Sequence, residues 1–141
     1  MWPKLPQPAV LRNPLIAAAA VSLWLATVAN WPLWRAMLEL PGLATPRGAL
    51  FVASFVLMIA GLNMALLSLV AWRRSLKPLA TLMVLAAAAG AHFMGSYGIV
   101  IDPTMMLNVL HTDAREVRDL LGPSLLLHLV LLAALPLWWL W

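Results

Sequence analysis

Residues 48–72, GALFVASFVLMIAGLNMALLSLVAW, contain no ionisable side chain. A helix of about 20 apolar residues rises far enough to cross the hydrocarbon core of a bilayer. Read as a helix, this run crosses a membrane, and the rest of the chain fits the same solvent. Hydrophobic residues make up 64% of the 141 and charged residues only 10%, with a mean hydropathy of +0.92. Soluble domains sit nearer half apolar and about a quarter charged. The sequence therefore predicts an all-α integral membrane protein, with length for about four spans.

Working outward from 48–72, the upstream span is expected at Pro14–Trp34. Asn13-Pro14 offers a capping side chain followed by proline at the first helical position. Trp31 and Trp34 at its far end suit an interfacial aromatic belt. A loop, Arg35–Arg47, is punctuated by Pro41-Gly42 and Pro46. Downstream come Arg73, Arg74 and Lys77, with Pro78 expected to break the helix. A third span is expected at Leu79–Tyr97, and a fourth at Ser124–Trp141 behind Gly122-Pro123. The opening MWPKLPQPAVLRNP lacks a small-residue cleavage site, so the first apolar run is expected to remain as an uncleaved span.

Nine basic residues and a net charge of +4 act here as topology signals rather than as a nucleic-acid footprint. With the N-terminus in the cytoplasm, Lys4, Arg12, Arg73, Arg74 and Lys77 lie inside with no acid among them. Arg35, Arg47, Arg115, Arg118 and all five acids then lie outside. The tight basic loop at 73–77 strengthens this orientation, with both termini inside and residues 98–122 on the outer face. The absence of cysteine excludes disulfides and thiolate chemistry.

Between spans three and four lies a polar island, residues 97–121, YGIVIDPTMMLNVLHTDAREVRDLL, which holds Asp102, Asp113, Glu116 and Asp119. A simple turn between helices needs only about two to eight residues. Asp102-Pro103 reads as a cap and first helical position, and the following residues divide at about 100° each. Val109, Leu120, Met106, Val117, Leu110, Leu121 and Leu107 occupy one side. Arg118, His111, Arg115, Asn108, Asp119, Thr112 and Glu116 occupy the other, with Met105 and Asp113 out of pattern. An amphipathic helix at about 103–121, lying in the membrane interface, is expected.

Asn108, Thr112 and Glu116 recur every four residues and share one stripe. The stripe fits two readings. An amide, a hydroxyl and a carboxylate suit a primary ammonium beside a phosphodiester, the groups that phosphatidylethanolamine carries. Equally, Asp113 and Glu116 have the spacing of a capping box, with Asn108 and Thr112 facing water.

The pattern Tyr97-Gly98, Asp102, Met105, Asn108, Thr112-Asp113, Glu116, Asp119-Leu120 closely resembles the outer loop of the lipid A phosphoethanolamine transferases, a family that includes the mobile colistin-resistance enzymes. A looser likeness runs over the whole chain, through the N-terminal spans and the basic loop before Lys77-Pro78. The resemblance implies a bacterial inner-membrane protein with five spans and a periplasmic catalytic domain of sulfatase-like fold. It implies transfer of phosphoethanolamine from phosphatidylethanolamine to a threonine beside zinc, then to a lipid A phosphate. It places Asn108, Thr112 and Glu116 in the donor headgroup pocket.

The fifth span, the nucleophilic threonine, the zinc ligands and the disulfides of that family do not occur in these 141 residues. No catalytic or metal-ligating residue is expected here, and zinc belongs to the missing catalytic domain. The run Trp138, Trp139 and Trp141, without a charged tail, reads as a cut chain. Two functions are compatible with this: the membrane and donor-binding part of a transferase, or a stand-alone small membrane protein with a lipid-binding or regulatory role and no catalysis. The coding DNA past the Trp141 codon separates them. Among other polar positions, Asn63 reads as an interhelical hydrogen-bond partner. His92, His111 and His128 are too distant in sequence for a local metal motif and read as packing or surface residues. Ala17–Ala20 and Ala86–Ala89 with Gly90 read as packing faces.

Overall fold

The computed structural model describes residues 13–70, 75–98 and 122–141. Among these every regular element is a helix: α1 (Pro14–Ala26), a 3₁₀ turn (Val28–Asn30), α2 (Trp31–Leu38), α3 (Pro46–Leu69), α4 (Leu76–Tyr97) and α5 (Pro123–Leu140). Four stretches are long and apolar enough to cross a membrane, with α1, the 3₁₀ turn and α2 together forming the first. The expected interfacial helix at 103–121 lies outside the described residues.

Local chemistry explains the boundaries. Asn13 caps α1 by accepting a hydrogen bond from the Leu15 amide at 3.0 Å, with Pro14 in the first turn. The first span does not stop at Trp34. A 3₁₀ turn interrupts it after Ala26, and Pro32, at the start of α2 where its missing N–H costs nothing, lets the helix resume to Leu38. Arg35 consequently sits on a helix rather than in a loop. Pro78 likewise does not break a helix. It lies in the first turn of α4, which begins at Leu76. Gly98 ends α4 in the left-handed conformation, φ 64°, its amide bonded to the Met94 carbonyl at 3.0 Å.

Lipid tails are as apolar as leucine, so helices associate here by close packing and hydrogen bonds rather than by escape from water. The stripe Ala17, Val21, Leu25 on α1 and the stripe Leu76, Ala80, Val84 on α4 are buried, and they share one core with Leu67, Ala133 and Leu140. Small residues at the contact let the backbones approach. The main pairs are α1 with α3 and α4 with α5. Leu50, Leu57, Leu62 and Leu69 on α3 stay exposed, as a lipid-facing side requires. Asn63 makes no hydrogen bond among the described residues, so the interhelical role expected of it is not met there.

Three interhelical or inter-segment bonds come from tryptophans instead. Pro136 lies inside α5 and has no N–H, which leaves the Leu132 carbonyl without its usual helical donor. The Trp24 indole of α1 donates to that carbonyl at 3.2 Å. At the break after Ala26, the Asn30 amide turns to the Thr27 carbonyl. The Ala26 carbonyl then accepts from the buried Trp34 indole at 2.9 Å. Trp34 is therefore a core residue, not a member of an interfacial belt. At the other end of the bundle, the Trp141 indole donates to the Thr81 hydroxyl at 3.2 Å and its ring lies 5.2 Å from the Lys77 ammonium. The start of α4 and the end of α5 thus lie side by side.

The Trp24 bond should be worth most while Pro136 keeps its acceptor unpaired. Trp24→Phe is expected to cost about 0.6–2 kcal/mol in the parent, the range of interhelical hydrogen bonds in membranes. In a Pro136→Ala background, the substituted residue supplies the missing N–H and the cost should shrink. A double-mutant cycle on reversible unfolding in mixed micelles measures the coupling. Additive effects would mean that Trp24 acts by packing alone.

Candidate functional site: an apolar cleft with a polar mouth

The connections fix which ends meet. α2 ends, α3 begins, α4 ends and α5 begins at one end of the bundle, the end from which residues 99–121 leave at Gly98 and return at Gly122. In that half the helices do not close on one another. They enclose an apolar cleft of about 640 Å³. Trp31 and Leu38 come from α2, Val52 and Val56 from α3, and Leu131 from α5. Ligand pockets span roughly 300–1,000 Å³, so the cleft has the capacity of a real binding site. Leu132, whose carbonyl takes the Trp24 bond, also lines it.

Above the cleft sits a second hollow of about 380 Å³, bounded by Arg35, Glu39, Met94 and Gly98. Trp31, Pro32 and Gly95 line both spaces, so the apolar cleft continues into a polar mouth. Gly95 leaves the junction open: a Cβ built there meets nothing within 4 Å.

The cleft wall also contains a histidine, and a second histidine stands behind it. His92 of α4 and His128 of α5 have ring centroids 4.7 Å apart with planes tilted by 59°. His128 lines the cleft. Its Nδ1 lies 3.0 Å from the Ser124 carbonyl, which can only accept. Nδ1 therefore carries the proton, and in the neutral ring Nε2 is left as an acceptor. His92 is buried, and its Nδ1 has no hydrogen-bond partner among the described residues. Read separately, the histidines suggest only packing, and sequence reasoning misses the pairing. A signal is present: His92 lies five residues before Tyr97 and His128 five after Pro123, so two antiparallel helices meeting at the island bring both to one depth.

Asn108, Thr112, Glu116 and His111 lie outside the described residues. Among those described, no three His, Asp or Glu side chains converge as a metal site would require. What the described helices offer is an apolar volume, an imidazole in its wall, and opposite charges at the mouth. That set can hold an amphiphile; it does not by itself activate a nucleophile.

The family profile described as phosphoethanolamine transferase EptA/EptB matches residues 58–141. The chain belongs to this family, and it corresponds to the N-terminal transmembrane region. Phosphatidylethanolamine transferase Mcr-2 of Escherichia coli is 28% identical over 124 residues, which is 88% of this chain and 23% of the relative. Phosphatidylethanolamine transferase Mcr-1 of Escherichia coli is 29% identical over 125 residues, with the same coverage. Phosphoethanolamine transferase EptA of Escherichia coli K12 is 41% identical over 66 residues, 44% of this chain and 12% of the relative. The chain thus spans about a quarter of the length of the Mcr relatives. No solved structure matches it.

Proposed function

We propose that this chain is the membrane and donor-lipid-binding part of an enzyme that moves phosphoethanolamine from phosphatidylethanolamine to lipid A at a bacterial inner membrane. The observation that carries the proposal is the family match over 58–141, because that range includes Asn108, Thr112 and Glu116. In this reading the Glu116 carboxylate pairs with the donor's ammonium, while Asn108 and Thr112 donate to its phosphate oxygens. The orientation keeps residues 98–122 on the periplasmic face, where lipid A is modified. Zinc and the nucleophile belong to a part of the enzyme beyond these residues, so the membrane part contributes binding and orientation of the donor.

Charge-assisted hydrogen bonds are roughly twice as strong as neutral ones, so Glu116 should matter most. In a chimera carrying these 141 residues in place of the aligned region of Mcr-1, Glu116→Gln is expected to lower transfer to lipid A by about tenfold or more. Arg118→Gln should have a smaller effect. The mass of recovered lipid A provides the readout. Equal activity of Glu116→Gln and the parent chimera would return Glu116 to a helix-capping role.

A further inference from the structure

Arg35 lies in the last turn of α2 and Glu39 is its C-cap, still in helical backbone conformation, so the two are i and i+4 neighbours, where an acid commonly pairs with a base. Here both line the polar hollow, yet neither forms an ion pair among the described residues. A guanidinium and a carboxylate that line one hollow without pairing present one binding point for an anion and one for a cation. Directly below them, through the gap left by Gly95, lies an apolar volume of about 640 Å³ with almost no polar lining except His128 and Thr27. Trp31, which is exposed, stands at the junction, the level at which tryptophan sits in membrane interfaces.

From this arrangement we propose that the continuous hollow is a binding site for a zwitterionic aminophospholipid, distinct from the Asn108, Thr112 and Glu116 stripe. One acyl chain occupies the cleft. The phosphate lies on the Arg35 guanidinium, which offers a planar fork of donors, and the ammonium lies on the Glu39 carboxylate. Charge complementarity selects the occupant. A plain hydrocarbon uses neither charge, and an anionic lipid without an ammonium leaves Glu39 opposed by like charge. The inference shares with the transferase reading only that the chain lies in a phospholipid bilayer, and it needs none of the residues between 99 and 121.

The test uses the full chain in lipid nanodiscs doped with phosphatidylethanolamine or phosphatidylglycerol, each bearing a photoactivatable acyl chain, with labelled residues located by mass spectrometry. The parent should label at cleft residues and favour phosphatidylethanolamine. Arg35→Gln should cut labelling by both lipids about tenfold, and Arg35→Lys should recover part of it. Glu39→Gln should lower labelling by phosphatidylethanolamine while sparing phosphatidylglycerol, which abolishes the preference. Gly95→Leu adds bulk where the backbone leaves open space, so it should block both lipids with no loss of thermal stability. Labelling indifferent to all of these changes would overturn the site. Loss on Glu116→Gln alone would overturn it too, while supporting the donor stripe. Cross-links in the hollow between two copies of the chain would assign it to self-association instead. Loss on the α2 changes with Glu116→Gln silent would uphold this site and count against the stripe.

Discussion

Gly48→Ala should destabilise the bundle by about 3 kcal/mol, the upper end of what overpacking costs. Gly48 lies in the first turn of α3, and a Cβ there would come within 2.4 Å of the Leu43 Cα, 2.6 Å of the Leu43 carbonyl oxygen and 2.7 Å of the Gly42 carbonyl oxygen. All three are backbone atoms, so no side chain can swing away to make room. The turn they belong to is tightly tied. Gly42 adopts φ 93°, the Thr45 hydroxyl donates to the Gly42 carbonyl at 2.7 Å, and the same hydroxyl accepts from the Gly48 amide at 3.1 Å. Moving Leu43 away would break the cap that starts α3. Because this turn sets the direction in which α3 leaves α2, Val52 and Val56 should also shift from the cleft wall, and lipid labelling in the cleft should fall together with stability. Reversible unfolding in mixed micelles gives the stability change. A loss below about 0.5 kcal/mol, the size of an ordinary surface substitution, would show that the turn yields freely.

The sequence announces the spans because a bilayer imposes one dominant requirement, an uninterrupted apolar run with its backbone bonds satisfied internally. That requirement is visible residue by residue, and Pro46–Leu69 illustrates it. Helix ends set by local chemistry are legible as well: Asn13-Pro14 and Gly122-Pro123 mark real starts. Misreadings arise where one residue type serves two purposes. Proline at 78 looks like a helix breaker but sits in a first turn. Tryptophan at 34 looks like an interfacial anchor but fills a carbonyl left by the 3₁₀ turn. Which donor reaches an orphaned carbonyl depends on how helices dock, and no local pattern encodes that. The same holds for the hollow at Arg35 and Glu39, assembled from helices distant in sequence, while the His92–His128 pair is signalled only by equal offsets from the island. The stripe of Asn108, Thr112 and Glu116 stands the other way round: it is legible in sequence as a periodic pattern, and it lies outside the described residues.

Trp34→Ala should be the most damaging single truncation at the cleft end of the bundle, costing about 3 kcal/mol, near the low end for removal of a buried aromatic. The low end applies because lipid competes for apolar surface and the hydrophobic effect does not hold these helices together. Two contributions are lost together. The ring meets Phe55 of α3 edge-on, with centroids 6.0 Å apart and planes at 83°, and Phe55 in turn stacks on Phe51. The indole N–H also supplies the Ala26 carbonyl with its donor at the break between α1 and α2. Trp34→Phe separates the two, since it keeps a ring against Phe55 and removes only the N–H. It should cost about 1 kcal/mol, the average net worth of a hydrogen bond. Equal losses for Trp34→Ala and Trp34→Phe would show that the carbonyl at the break, rather than the aromatic contact, is what Trp34 secures. Trp34 lines the cleft as well, so only the alanine variant should enlarge it, and the enlarged cleft should accept a bulkier acyl probe than the parent does.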